Sequence, residues 1–235
     1  MTAEEIKNLE NVYQRERSLG SISNLIRAYV EQGDPKSLEK ALGLVTRNLA
    51  TFSNEPDFLD PAIEVLGLIK NNSEAARLAV ELAKRLVERA PSLVKSYVNA
   101  AYLYWRIGNL SAAIELSELG LRQLGRHPAA TLAFLKGNLA YYYAERGLDY
   151  DAEKALRLAH EAYEAEVTGS RADTLGYVIL RFAKTKSEVQ EALRYFNEAK
   201  AELDRLGARN PWVVEHIEKA TAKIKDMDVD PGGPS

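Results

Sequence analysis

Residues 94–127 read VKSYVNAAYLYWRIGNLSAAIELSELGLRQLGRH, which is two apolar helical runs separated at Gly108-Asn109. The pair Ala100-Ala101 lies within the first run, and Ala113 follows in the second. Pairs of an apolar residue followed by a small residue recur along the chain, each with an alanine in the next helical run: Leu66-Gly67 with Ala79, Leu139-Ala140 with Ala152, and Leu175-Gly176 with Ala192. Successive pairs, and successive alanines, are 34 to about 40 residues apart. A two-helix unit of that length cannot bury its own apolar face, so its repetition predicts a helical solenoid.

The residues between the apolar runs are those expected at the ends and starts of helices. Gly33, Gly108 and Gly147 each follow such a run, as expected of the left-handed residue that ends a helix. Asp34-Pro35, Asp60-Pro61 and Asn210-Pro211 each combine a capping side chain with a proline suited to the first helical position. No alternating run long enough for a strand is found. The helices are expected near 3–17, 21–32, 35–51, 61–71, 73–90, 92–107, 110–125, 129–146, 149–166, 170–184, 187–206 and 211–226.

The repeat resembles the tetratricopeptide repeat, whose pattern is W-x2-L-G-x2-Y followed by A-x3-F. Its best-spaced example is Tyr97-x2-Ala100-Ala101-x2-Tyr104 followed by Ala113, and Leu175-Gly176 is followed by Ala192-x3-Phe196. Tryptophan never fills its consensus position. The resemblance implies an all-α fold, a right-handed α-solenoid of about five helix pairs with flanking capping helices.

On this basis residues 1–226 are predicted to form one solenoid domain. The units are expected at about 19–58, 60–93, 94–127, 133–166 and 169–206, with an N-terminal helix over 3–17 and a C-terminal capping helix over 211–226. The Pro- and Gly-rich segment 227–235 is expected to be a flexible tail.

Composition limits the function. The 235 residues carry 31 Lys and Arg against 34 Asp and Glu, without a basic stripe, which argues against nucleic-acid binding. There is no cysteine, and the three histidines lack partners at metal-binding spacing, so neither a metal nor a cofactor is expected. No phosphate loop or nucleophile motif appears, which favours a non-enzymatic protein. We expect no membrane insertion and a cytoplasmic location, with a periplasmic domain whose signal has been removed as the alternative.

The resemblance also implies a binding surface, because the first helix of each unit lines a concave groove in this family. Its sixth positions are Asn24, Asn99, Asn138 and Thr174, and its ninth positions include Arg27, Tyr102, Tyr141 and Tyr177. In related proteins asparagine at the sixth position holds bound peptide backbone, while tyrosine offers rigid contact area. Arg106 and Arg181 follow two of the tyrosines by four residues and would select for ligand charge.

Other interpretations remain open. The asparagines and tyrosines can equally pack between neighbouring helices. The fifth positions lack the lysines of a clamp for carboxylate-ending chaperone tails, which argues against that ligand. The main alternative function is a scaffold that self-associates as a homo-oligomer through its convex face or C-terminal helix, where Trp212, Val213, Val214 and Ile217 form an apolar stripe. A regulatory fragment of a larger sensor or enzyme is a third possibility.

Overall fold

A computed structural model describes residues 1–69 and 73–229 of the chain. These residues form twelve α-helices and one short 3-10 turn, and none of them lies in a β-strand. The helix bounds are α1 Ala3–Glu16, α2 Leu19–Gln32, α3 Pro35–Phe52, α4 Pro56–Leu68, α5 Ser73–Arg89, α6 Val94–Arg106, α7 Leu110–Leu124, α8 Ala129–Arg146, α9 Ala152–Ala165, α10 Gly169–Phe182, α11 Lys186–Arg205 and α12 Pro211–Val229. The predicted all-α class is confirmed.

The predicted helix starts and stops agree with the structure at most sites. Asp34 accepts hydrogen bonds from the backbone N–H groups of Lys36 and Ser37, so it caps α3 as expected. Gly33 and Gly147 end α2 and α8 with φ of 69° in each case. Only a residue without Cβ adopts that conformation at little cost, which explains the glycines.

The predicted start of α4 at Asp60-Pro61 is wrong. The helix begins at Pro56, and Pro61 lies inside it. Pro56 takes the first helical position five residues earlier, after Glu55, whose side chain makes no capping hydrogen bond. A proline near the start of a helix removes at most one backbone hydrogen bond. Asp60 therefore does not cap the helix, and its carboxylate is free for contacts with other helices.

The chain divides into two compact units, Met1–Leu116 and Ser117–Ser235. In the first unit, α2 packs on α3 and α4 packs on α5, and the first helices α2, α4 and α6 also contact one another in that order. The core they share includes Phe58, Leu59, Ile63 and Leu82, all essentially inaccessible to solvent. This is the arrangement expected of stacked helix pairs, in which each pair completes the core of the next.

The second unit repeats the arrangement. Here α8 packs on α9, α10 packs on α11, and the first helices α8 and α10 are followed by α12, which packs on α11 and α10. Gly176 lies where α10 meets α11: a Cβ there would come within 2.8 Å of the Phe196 ring and 3.0 Å of the Ala192 carbonyl oxygen. The small residue in the Leu-Gly pair thus permits the close helix contact.

The helix α12 extends through Val229, three residues beyond its predicted end, and the rest of the predicted tail, 230–235, lies outside the described residues. Across the described ranges, every helix is too short or too polar to cross a membrane.

Candidate functional site

The predicted site residues all lie on the first helices of their units, and each unit is considered by itself. In the first unit these are α2, α4 and α6; in the second they are α8 and α10, with α12 packed beside α10. Residues three or four positions apart on one helix share a face, so the sixth and ninth positions of a unit point in similar directions.

In the first unit, two of the predicted residues, Arg27 and Asn99, donate hydrogen bonds to Asp60. Its buried carboxylate accepts a hydrogen bond from Arg27 at 3.2 Å and further bonds from Lys95 and the Asn99 amide. Partial burial and the neighbouring Asp60 charge raise the pKa of Glu64, one turn further along α4. Arg27 and Asn99 are therefore both bonded to a carboxylate of their own chain.

Tyr102 and Arg106 form a second group on α6. The Arg106 guanidinium donates to the Tyr102 hydroxyl at 3.3 Å and to the Gly67 carbonyl oxygen at 3.2 Å. The Tyr102 side chain is exposed, and its ring lies 5.5 Å from that of Trp105. Asn24 is exposed on α2, and its side-chain amide makes no hydrogen bond to any described residue.

In the second unit, three aromatic rings from successive helices form a row. The Tyr141 ring of α8 stacks on the Tyr177 ring of α10, with centroids 4.8 Å apart and planes inclined by 27°. The His216 ring of α12 follows at 5.0 Å from Tyr177 and lies 5.2 Å from Phe196. We call Tyr141, Tyr177 and His216 the ring row.

Two carboxylates border the ring row. Glu145 accepts a hydrogen bond from the Tyr177 hydroxyl, and Asp173 accepts one from His216 Nδ1 at 2.8 Å. Burial raises the pKa of Tyr177, and its bond to Glu145 raises it further. Burial also raises the pKa of Tyr141, with added contributions from the negative charges of Glu145 and Asp173. The tyrosines therefore stay protonated at neutral pH in a negative field.

The other predicted residues of the second unit surround this row. The Asn138 amide is partly exposed and makes no hydrogen bond within the part of the chain that the structure describes. The Thr174 hydroxyl donates to the Ser170 carbonyl oxygen of its own helix at 3.0 Å, so its donor is already used. Arg181 is exposed, and its guanidinium lies against Gly147 at the end of α8.

Sequence reasoning missed Asp60 as a bridging acceptor and His216 as a member of the row. A signal for His216 was present: it lies 39 residues after Tyr177, the same step as from Tyr102 to Tyr141. Continuing the repeat register into α12 would have placed it in the ninth-position series. Asp60 gave no such signal, because its partners are 33 to 39 residues away.

A further polar motif occurs once in each unit. The Tyr29 hydroxyl and Lys40 both donate to Glu10, with Lys40 2.9 Å from the carboxylate and 5.0 Å from the Tyr29 ring centroid. In the second unit, Glu118, Tyr143 and Lys154 repeat these three contacts, with Lys154 2.6 Å from Glu118 and 4.8 Å from the ring. Each motif joins three consecutive helices. Because each lysine pairs with a glutamate of the same chain, we interpret both motifs as packing contacts between helices.

The described residues hold no group of three His, Cys, Asp or Glu side chains placed to bind a metal ion. The first helices instead carry hydrogen-bonding amides, aromatic rings and carboxylates. Groups of these kinds are able to form hydrogen bonds and apolar contacts with a polypeptide.

Comparison with solved structures gives clear matches. A thermophilic TPR protein of Thermus thermophilus, TTC0263, superposes with a TM-score of 0.62 at 21% sequence identity, covering 84% of this chain and 98% of that one. A double mutant of MamA RS-1 gives a TM-score of 0.54 at 16% identity, covering 80% of this chain and 97% of that one. No protein-family model matches the sequence, and no curated protein matches it. At these identities the likeness is one of fold.

Proposed function

We propose that this chain, which has the fold of the tetratricopeptide repeat proteins, is a non-enzymatic interaction module that binds an extended peptide segment of a partner protein. The observation that carries the proposal is the second unit's arrangement of an unbonded Asn138 amide beside the ring row. An amide can both donate to and accept from a peptide backbone, and tyrosine rings provide rigid contact area.

The two units are expected to contribute unequally. In the first unit, Arg27 and Asn99 already bind Asp60, so a peptide would have to replace those bonds. The other predicted residues of that unit are Asn24 and Tyr102, which are exposed, and Arg106, which is partly exposed and bonded to Tyr102. In the second unit, Asn138, Tyr141 and Tyr177 are all partly exposed, and the rings of the two tyrosines are in contact. We therefore place the main contact on the second unit.

Selection from a random display library of extended peptides against the full chain tests the proposal. Binding of the selected peptides is then measured by fluorescence anisotropy. Asn138→Ala should weaken it by roughly two- to tenfold, as expected for one backbone-directed hydrogen bond. Asn197→Ala is the matched control, since Asn197 is an exposed asparagine on the second helix α11. Failure to select any peptide, or equal affinities of the two variants, would refute the proposal.

A second candidate is self-association through α12, and exposed apolar side chains favour it. Trp212 and Val214 are 58% and 48% exposed, whereas Val213 is buried and Ile217 partly buried. The stripe predicted from sequence is thus divided, with half of it available to a second copy of the chain. Light scattering at micromolar concentration should then give the mass of a dimer that Trp212→Arg converts to a monomer. A monomeric wild-type chain would eliminate this candidate.

A further inference from the structure

A cavity of about 320 Å³ opens within the second unit, among side chains of α7, α8 and α9. Leucines form part of its wall: Leu132, Leu139 and Leu158 are buried, and Leu121 is partly buried. The described charged residues that line it are four cations and two carboxylates: Arg122, Lys136, Lys154, Arg157, Glu118 and Glu161. The cavity therefore combines an apolar wall with an excess of two positive charges.

The carboxylate of Glu118 is shared between two cations. It accepts a hydrogen bond of 2.6 Å from Lys154, whereas Nη1 of Arg122 lies 3.9 Å away, beyond hydrogen-bonding distance. Burial opposes ionisation of Glu118, but the hydrogen bonds from Lys154 and Tyr143 outweigh it and lower the pKa of Glu118. Its one negative charge balances Lys154, so the charge of Arg122, whose side chain is 66% exposed, is in excess.

Glu161 is shared in the same way. Lys136 and Arg157 each donate a hydrogen bond of 2.7 Å to it, and these bonds lower the pKa of Glu161 despite its partial burial. The bond from Arg157 uses one of the five N–H groups of its guanidinium, and its side chain is 59% exposed. Arg157 thus supplies the second excess charge.

A corresponding cavity in the first unit carries a different charge. It is lined by residues that stand 114 positions earlier in the sequence, among them Lys40, Gly43 and Leu44. Its described cations and carboxylates are equal in number: Lys40, Arg47, Glu10 and Glu39. Gly43 stands where the second unit has Arg157. The excess of positive charge is therefore a property of the second unit's cavity and not of the repeated gap between helices.

The charged cavity lies on the opposite side of α8 from the ring row. Leu132, Lys136 and Leu139 are spaced four and three residues apart, so they share one face of α8. Tyr141 follows them by nine, five and two residues, which at 100° per residue turns it about 140–180° away from that face. The cavity is therefore separate from the surface on which the proposed peptide contact depends.

We propose that this cavity binds an acidic segment of a protein, with carboxylate side chains against Arg122 and Arg157 and an apolar side chain against the leucines. The fork of N–H donors in arginine matches the two oxygens of a carboxylate. The apolar wall favours a polypeptide over a small inorganic anion, which would leave the leucines uncovered, and a basic segment would be repelled. This site is additional to the proposed function and does not depend on it.

Parallel selections from a random peptide display library test the proposal. One uses the full wild-type chain and the other uses the full chain with Arg122→Gln and Arg157→Gln. Both arginines are exposed, and glutamine removes the charge while keeping N–H donors, so the double variant should fold, as circular dichroism will show. The wild-type chain should enrich peptides with several Asp or Glu residues beside an apolar residue, and the double variant should not.

Fluorescence anisotropy then measures the affinity of the acidic peptides. Each single arginine substitution should weaken binding roughly threefold, and the two together about tenfold. Arg47→Gln is the matched control and should leave the affinity unchanged, because Arg47 is an exposed arginine of the balanced cavity in the first unit. Raising the salt concentration should weaken binding to the wild-type chain more than to the double variant, because exposed charge pairs are screened.

The remaining measurements identify the ligand and the site. Acidic peptides that retain binding after their Asp and Glu are replaced by Asn and Gln would overturn the inference. So would their displacement by inorganic phosphate but not by chloride at equal ionic strength, which would indicate a site for small anions. Asn138→Ala should leave their affinity unchanged, and a loss would place them beside the ring row instead. Absence of acidic peptides among those selected would overturn this inference alone, since peptides that depend on Asn138 would still support the proposed function.

Discussion

Replacing Gly176 with alanine tests whether close contact between α10 and α11 depends on the small residue of the repeat. The added Cβ would lie 2.8 Å and 2.9 Å from two carbons of the Phe196 ring and 3.0 Å from the Ala192 backbone oxygen. Phe196 is fully buried, and the oxygen belongs to a helix, so neither can move without shifting α11.

The magnitude follows from two opposing effects. Alanine in place of glycine favours a helix interior by about 1 kcal/mol. An extra methyl group in a packed core costs about 1–3 kcal/mol. Gly137→Ala, in α8 of the same unit, is the control, because its Cβ would meet Ala162 and Arg171 at an ordinary 3.7 Å. The helix preference cancels between the two variants, so their stabilities should differ by the packing cost of about 1–3 kcal/mol.

Urea unfolding followed by circular dichroism measures this difference. With slopes of about 2 kcal/mol per molar urea, the midpoint of Gly176→Ala should lie roughly 0.5–1.5 M below that of Gly137→Ala. The Gly137 variant should unfold at or above the wild-type midpoint. Coincident midpoints for the two variants would refute the argument that the Leu-Gly position permits the helix contact.

Three further outcomes are expected. Burial and a hydrogen bond to Glu10 raise the pKa of Tyr29 from 10.0 to about 12, and a bond to Glu198 raises that of Tyr163 likewise. Folding therefore favours the neutral phenols, and they stabilise the folded state fully below pH 10. This contribution should be lost as the pH rises from 10 through 12. Tyrosinate absorbance reports the titration, and ellipticity reports the accompanying loss of stability. Arg171→Met should leave the melting temperature unchanged or higher, because the buried guanidinium has an Nε without a hydrogen-bond partner and one exposed counterion, Glu166. Asp60→Ala should reduce the free energy of unfolding by about 1–2 kcal/mol in urea titrations, because three side chains lose a common acceptor.

Local signals in the sequence predicted the helices well, because their ends depend on neighbouring residues. Glycines after apolar runs, a capping aspartate and apolar periodicity predicted each of the twelve helices found in residues 1–69 and 73–229. Gly33, Gly108 and Gly147 indeed have positive φ. The predicted start of α4 was wrong because Asp60-Pro61 is the stronger local capping signal, whereas α4 begins after Glu55, whose side chain makes no capping hydrogen bond. The Asp60 carboxylate instead bonds to α2 and α6, which a local signal does not reveal.

The candidate site was predictable only in part. The repeat register brought Tyr141 and Tyr177 to one surface, and the structure places their rings in contact. It could not foresee that Asn99 would bind Asp60 while Asn138 would remain unbonded, although both occupy the sixth position. Asn99 is bonded because α4 presents Asp60 to it, a tertiary contact that the period of the repeat leaves undetermined.

The Glu-Tyr-Lys motif offers a way to find repeat boundaries in sequences whose consensus has eroded. Tyrosine and lysine stand eleven residues apart in both copies, Tyr29 with Lys40 and Tyr143 with Lys154. The first copy lies in the pair α2 and α3, where Leu25-Ile26 has replaced the Leu-Gly signal. A search for tyrosine and lysine at this separation, at the junction of two amphipathic helices, would therefore align degenerate units that motif matching overlooks.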